Sequence, residues 1–431
     1  MSLRTKVNGK RGVLFKNTLM LYILQFSTYF FSFIVVPYET RVLGPVMFGL
    51  LGAATAAMVY FQSVIDFGFI LSGTADVALH KDDKQYLAKL FTSITLAKLL
   101  LALLCAVVLL GLCQVIGVWG DHTGFYFLFF ISIFLASLMP DYLYRGLEQM
   151  EVITVRAVCI KAFFTVMIFV LLRDASQYYL IPLLNIIGNG VAFLFVYLHL
   201  KKKLQITFTR VSLSSVINVL KESLPFFFSR VATTVYTATN TVVLNIISGT
   251  GAVTGYYTSA DKLITTAKSG MSPISDSLYP YMVKHRDFKM VKKVLSILMP
   301  IIIIGCIVVA IFAEPLCIWF FGAKYAEVAD VLRVMLPVVV VILPSYILGF
   351  PTLSPMGLAK HANYSTILGS AFYVCVIVVL FFMGKINMIT LGALTSITEI
   401  LIFLYRAVIV YHYRDRMKPM KTEEESHEHH A

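Results

Sequence analysis

Several ionisable side chains of this chain stand inside long apolar runs, where a charge is costly and normally faces a bundle interior or a watery cavity. Asp66, Lys98, Arg156, Lys161, Arg230, Asp261, Lys262, Lys268, Asp276, Arg333 and Glu399 all lie in such runs. The cations point to an anionic ligand, because phosphate and diphosphate groups need fixed Arg and Lys donors to replace lost hydration. Arg230, Lys98, Lys262 and Lys268 are the candidates for that work. Asp66, Asp261, Asp276 and Glu399 are candidates for coupling or gating, since a carboxylate away from water can take and release a proton. The stretch holding Thr234, Tyr236, Thr237, Thr239, Asn240 and Thr241 is too polar to face lipid and is expected to line a hydrated cavity. Tyr236, Tyr256 and Tyr257 can stack on sugar faces while their hydroxyls hydrogen-bond.

Each group also has a plainer reading. Asp66 and Arg230 lie at similar inferred depths and can simply pair. Arg156, Lys161 and Arg333 lie near helix ends, where long cationic side chains reach back to water. Lys98 and Glu399 are too deep for that, which leaves a functional role or a buried pair. Asp261 has Ile264 and Thr265 at the i+3 and i+4 positions, so a cationic partner must come from another helix or from the ligand. The tyrosines can be ordinary interhelical aromatics.

Composition decides what must position these groups. Of 431 residues, 58% are hydrophobic and only 14% charged, against about 25% charged in soluble proteins. A dozen membrane helices of about 20 residues each would consume roughly 240 apolar positions. A soluble domain has no interior large enough for them. The net charge of +13 sits in short clusters between apolar runs, which argues against a nucleic-acid partner. The six cysteines lie in or beside apolar runs and form no Cys-x-x-Cys pair, so they read as small hydrophobes. Phosphate-loop, nucleophile-elbow and His-Glu-x-x-His patterns are missing from the sequence. No cofactor is implied, and the chain reads as something other than an enzyme. The apolar run at 19–36 is too long for a cleaved leader and is expected to remain as an anchor.

Hydropathy predicts an all-α integral membrane protein with spans near 17–37, 46–72, 87–116, 123–144, 152–172, 178–199, 223–247, 252–282, 294–320, 328–350, 362–383 and 389–411. The expected organisation is a six-helix bundle over 1–200, a cytosolic linker at 201–222, a second six-helix bundle over 223–413 and a cytosolic tail at 414–431. Lys and Arg crowd the loops on one side, from Arg4 and Lys81 to Lys201–Lys203, Lys284 and Arg414. The opposite side keeps only Arg41, Arg173, Lys324 and Lys385. Both termini are therefore expected in the cytosol. The halves also look like copies. Gly49 and Gly255 are 206 positions apart, while Pro140-Asp141-Tyr142 and Pro344-Ser345-Tyr346 are 204 apart, as are His80 and Lys284. Six spans per copy give two bundles of like orientation, related by a pseudo-two-fold axis along the membrane normal, with a site expected between them.

Several motifs resemble one family. They are Pro37-Tyr38-Glu39-Thr40-Arg41-Val42-Leu43-Gly44-Pro45 with Phe48-Gly49, then Val64-Ile65-Asp66-Phe67-Gly68-Phe69 and Arg145-Gly146-Leu147-Glu148. Pro225-Phe226-Phe227-Phe228-Ser229-Arg230 and Gly255-Tyr256-Tyr257-Thr258-Ser259-Ala260-Asp261-Lys262 complete the set. Over residues 15–411 the chain resembles the Wzx (RfbX-like) O-antigen flippases, in the polysaccharide branch of the multidrug/oligosaccharidyl-lipid/polysaccharide exporter superfamily. That resemblance implies a MATE-like fold and passage of undecaprenyl-diphosphate-linked oligosaccharide from the cytosolic to the periplasmic leaflet of a bacterial inner membrane by alternating access. It implies that helices one, two, seven and eight line the cleft, with Arg230, Asp66, Asp261 and Lys262 foremost and Arg41 and Glu39 at the periplasmic mouth. Relatives often carry an apolar residue where this chain has Glu39. Implied partners are the lipid-linked sugar, membrane lipid, a polysaccharide polymerase and a chain-length regulator. Two other readings stay open: a multidrug extruder of organic cations, which would need an acidic cavity, and an integral-membrane polymerase or acyltransferase.

Overall fold

Among the described residues every regular element is helical. The structure, a computed structural model, describes residues 3–249 and 251–416, with side chains described from Lys16 onward except at 229, 233 and 416. The histidine-rich tail and the side chains of Arg4, Lys6, Lys10 and Arg11 lie outside the described residues. In order the helices are α1 (Leu3–Asp66), α2 (Phe69–Leu79), α3 (Lys84–Val115), α4 (Gly117–Gly120), α5 (Thr123–Ser137), α6 (Asp141–Gly146), α7 (Met150–Leu171) and α8 (Leu180–His199). They continue with α9 (Leu213–Ser248), α10 (Ala252–His285), α11 (Phe288–Ile311), α12 (Ala313–Phe321), α13 (Val328–Leu348), α14 (Phe350–Leu353), α15 (Ala359–Phe382) and α16 (Met388–His412).

The chain is a multi-pass membrane protein. Nine helical stretches among the described residues are long and apolar enough to cross a bilayer. The first, Lys16–Leu79, has 64 residues, where one crossing needs about 20. It turns back at Gly44, whose φ of 68° suits a residue without a side chain, and so supplies two spans. The turn comes later than the expected span end at residue 37, because Pro37 sits inside the helix without ending it. With 36 and 34 residues, α9 and α10 are also long enough to cross, and only their polarity keeps them out of the apolar set. Each of the twelve expected spans thus has a helix.

Repeated local devices set where these helices start and turn. Gly249, after α9, has φ 64° and matches Gly44, after the first span. Asp83 caps α3 by accepting from the Tyr86 amide, and Asp287 caps α11 by accepting from the Lys289 amide, both at 2.9 Å. The two caps are 204 positions apart, the offset of the internal repeat.

The chain divides into two compact units, Met1–Thr254 and Gly255–Ala431. In the first, Phe69, Val77, Phe91, Ile94, Tyr142 and Leu143 form the heart of the core, and α9 packs along α1. Part of the expected linker belongs to this core. Residues 213–222 already form the start of α9, and Phe208 lies against Phe91 with ring centroids 4.9 Å apart. In the second unit α13 is the central helix, packed on α16 and α11. Leu278, Met282, Leu343, Ile347 and Leu353 are among its core residues. By contrast, α11 buries few of its side chains, Val291 among them, and lies on the surface of the unit.

Candidate functional site

In the first unit the candidate charges gather where two spans break. After Asp66 the backbone leaves the helix at Phe67 (φ 41°) and Gly68 (φ 78°), and α2 begins at Phe69. The second break lies between α5 and α6, where Pro140 has no amide hydrogen to continue the helix. There the Asp141 amide turns to the Met139 carbonyl, which leaves the Ser137 carbonyl without its usual i+4 donor. Lys98 serves both breaks. Its ammonium donates to Asp66 Oδ1 at 3.2 Å and to the Ser137 carbonyl at 2.5 Å. The expected alternative pairing of Asp66 with Arg230 is replaced by this one, because α3 passes beside the break and brings a cation there, while Arg230 is exposed.

A second pair was hidden behind an expectation about helix ends. Arg156 does not reach out to water. It forks onto Asp141, donating to Oδ1 at 2.7 Å and Oδ2 at 2.9 Å. Asp141 was visible in the sequence only as part of a repeated Pro-x-Tyr motif. A carboxylate directly after a span-breaking proline, with an arginine 15 residues on, was the available signal.

Two of the family-like motifs meet at the Asp66 break. Phe67 stacks on Phe227, ring centroids 4.4 Å apart and 13° from parallel. A Cβ on Gly68 would lie 2.7 Å from the Phe226 Cβ and 2.9 Å from the Phe227 amide nitrogen. From this crossing α9 runs along α1 with a line of buried polar groups. Ser223, Thr234 and Asn245 recur every 11 residues, close to three helical turns of about 3.6 residues, so they share a face. Ser223 bonds Ser72 at 2.7 Å and Thr234 bonds Ser63 at 3.2 Å. Asn245 Oδ1 accepts from Trp119 at 3.2 Å and from Tyr126 at 3.3 Å, and Tyr60 bonds Thr239. Much of the polarity expected to face water therefore joins helices instead. Asn240 is buried on α9, and Tyr236 is half-buried.

In the second unit Lys268 of α10 donates to Glu399 Oε1 of α16 at 2.6 Å. The two are 131 positions apart, beyond any local spacing rule that could pair them from sequence. On α10 Lys262 is exposed and Asp261 half-buried. Asp276 is exposed and accepts from Ser272 at 3.2 Å. Tyr257 is buried, whereas Tyr256 is half-buried and edge-on to Tyr325. Arg333 pairs with Asp330 at 2.9 Å. In the first unit again, Arg41 is exposed and Glu39 buried.

Arg406, on α16, escaped the sequence reading although it stands within the twelfth expected span. Its guanidinium donates to the Ser345 carbonyl at 2.9 Å, Ser365 Oγ at 2.9 Å and Thr366 Oγ1 at 3.3 Å. Ser345 holds the place in the second repeat that Asp141 holds in the first. Both copies thus receive an arginine at the Pro-x-Tyr motif, on a carboxylate in one and on a carbonyl and hydroxyl in the other. Among the described residues no group of three or more His, Cys, Asp or Glu side chains could hold a metal ion.

What this arrangement can do is hold charge of both signs at membrane depth. Three ion pairs fix helix crossings and breaks, and α9 and α10 add the exposed cations Arg230 and Lys262.

Comparison with known proteins gives concordant findings. Residues 14–286 match the family described as polysaccharide biosynthesis protein. A Shigella dysenteriae protein, to which its name ascribes O-antigen transport, is 27% identical over 360 residues, covering 82% of this chain and 90% of the relative. Among solved structures, the lipid II flippase MurJ in an inward closed conformation superposes with a TM-score of 0.70 at 14% identity, over 92% of this chain and 87% of that one. An inward-facing multidrug resistance MATE family transporter of the MOP superfamily gives a TM-score of 0.66 at 12% identity, over 93% and 99%. Both superpositions show a shared fold.

Proposed function

The chain belongs to the polysaccharide biosynthesis protein family, and we propose from this that it is a flippase for undecaprenyl-diphosphate-linked oligosaccharide. It moves the unit from the cytosolic to the periplasmic leaflet of a bacterial inner membrane, without altering it chemically. The reading is carried by one observation: α9 and α10 have the length of membrane spans yet expose the cations Arg230 and Lys262. Such helices waste stability unless an anion is brought to them. A diphosphate supplies that anion, while the lipid tail remains among acyl chains.

In the second unit Lys262 and Lys268 are the proposed diphosphate contacts and Tyr256 the proposed sugar contact; in the first unit Arg230 and Tyr236 are the proposed contacts of the same two kinds. Transport proceeds by alternating access, opening to one leaflet and then to the other, with both termini in the cytosol. A polysaccharide polymerase and a chain-length regulator are the proposed neighbours in the membrane. The excess of cations over acids on the exposed positions disfavours an organic-cation cargo.

Binding tests this directly. Purified protein in detergent is expected to bind undecaprenyl diphosphate and to ignore a cationic dye. A hydrogen bond to a charged group contributes about 1.5–3 kcal/mol, and about 1.4 kcal/mol is tenfold in affinity. Arg230→Ala and Lys262→Ala should therefore each weaken lipid binding by about tenfold or more. Unchanged affinity in both variants would remove these residues from the site. Preferential dye binding would replace the flippase reading with that of a drug extruder.

A further inference from the structure

The three buried ion pairs are not alike in which partner faces outward. In the first unit the cation is the hidden member: the side chain of Lys98 is 7% exposed against 21% for Asp66, and Arg156 8% against 28% for Asp141. In the second unit the order is reversed, with Lys268 at 18% and Glu399 at 4%. An approaching anion would meet a carboxylate at either of the first two pairs and be repelled. At the third it meets the ammonium. Its helix is polar as well, carrying Asp261, Lys262, Thr265, Thr266, Ser269 and Ser272.

We propose that Glu399 is a tethered competitor for Lys268: in the empty protein its carboxylate occupies the ammonium that the substrate's diphosphate takes over on binding. This rests on the flippase reading and assigns a release device to it. When a phosphate oxygen captures Lys268 Nζ, the bond to Glu399 Oε1 breaks and a carboxylate that is almost wholly buried loses its cation. An unpaired buried charge is far costlier than an exposed one. That cost lowers affinity for the substrate, and it also pulls the ammonium back and expels the diphosphate. Capture is weakened so that release can occur.

The arginines on α16 and on the helix α13 packed against it are engaged elsewhere. On the helices packed against α16, Arg333 of α13 pairs with Asp330, and His361 of α15 bonds Tyr405. Lys360 lies beside His361 at the start of α15. Arg406, on α16 itself, bonds the Ser345 carbonyl and hydroxyl and the Ser365 hydroxyl. Asp261 lies within electrostatic reach of Lys268 and Lys262, so it adds a standing attraction that diphosphate must also meet.

The competitor has a signature that a merely structural acid lacks: removing it should improve binding. Undecaprenyl diphosphate binding to the purified full chain would be measured at equilibrium and by dissociation rate. Glu399→Gln is expected to bind about tenfold or more tightly, with slower dissociation, since a neutral amide competes weakly for the ammonium. Lys268→Gln is expected to lose about tenfold, and the double variant to match Lys268→Gln because the competitor then has nothing to compete for. Should Glu399→Gln fail to fold, Glu399→Asp, shorter by one methylene, should show the same sign with a smaller gain. Equal or weaker binding by a folded Glu399 variant overturns the proposal, as does a gain that persists without Lys268. If wild-type protein binds no lipid diphosphate at all, the flippase reading itself falls, an outcome distinct from binding that ignores Glu399.

Discussion

Lys98→Met is expected to destabilise the protein by about 1.5–3 kcal/mol, the loss of a hydrogen bond to a charged group. The ammonium holds the carboxylate of Asp66 at one helix break and the orphan carbonyl of Ser137 at another. Methionine fills similar space but satisfies neither. Thermal unfolding of the purified protein in detergent, followed by tryptophan and tyrosine fluorescence, would show the loss as a lowered midpoint. Adding Asp66→Asn to Lys98→Met should recover a large part of it, because the half-buried position then carries no uncompensated charge. A midpoint unmoved by Lys98→Met would show that the pair does not hold the breaks. A double variant no better than the single would show that charge is not the reason.

Gly68→Ala is expected to be as damaging, for steric reasons. At φ 78° the residue stands in the left-handed region, which costs an L-residue about 1–2 kcal/mol. Its new Cβ would also lie 2.7 Å from the Phe226 Cβ and 2.9 Å from the Phe227 backbone nitrogen. A backbone atom cannot move aside by changing rotamer, so α9 must shift away and disturb the Phe67–Phe227 stack. Gly44→Ala is the comparison for crowding. Gly44 has φ 68° and ψ 172°, a glycine-only backbone region, but nothing lies within 4 Å of the added carbon, so the variant should lose only about 1–3 kcal/mol, to backbone strain. The comparison is read from the yield of monodisperse protein and its unfolding midpoint. Equal effects at the two glycines would contradict the close crossing of α2 and α9.

The membrane class and the helices were legible in the sequence because hydropathy reports directly on solvent, and a bilayer is a solvent with a fixed thickness. Duplication was legible too. Gly44 and Gly249 turn the chain at matching places, and Asp83 and Asp287 cap matching helices. What hydropathy reports poorly is azimuth. It places Asp66, Lys98 and Arg230 along the membrane normal but does not say which faces which, so the pairing of Asp66 fell to Lys98 instead of Arg230. Arg156 and Asp141 lie on different helices, α7 and α6, and Lys268 and Glu399 are separated by most of the second unit, so no helical spacing rule connects them. Arg406 was overlooked for a different reason. It lies within an expected span but close to the loop cations near Arg414, where composition cannot separate a buried arginine from one that sets topology.

The polarity of α9 carries a related lesson. Read as composition, its hydroxyls and amides mean contact with water. Read by position, Ser223, Thr234 and Asn245 form a stripe of period 11 that bonds to neighbouring helices within the first unit. Interhelical hydrogen bonds are a common use of such residues where the hydrophobic effect cannot draw helices together. Arg230, beside that stripe, reaches past it and is exposed, while Tyr236 is half-buried.

Translocation by the purified protein in proteoliposomes tests the central claim most directly. An undecaprenyl-diphosphate oligosaccharide and an organic-cation dye would be offered to the same preparation, then to its Arg230→Ala variant. The flippase account predicts that the lipid-linked sugar crosses, that the dye does not, and that the lipid flux falls in the variant. Dye transport without lipid flipping would contradict it.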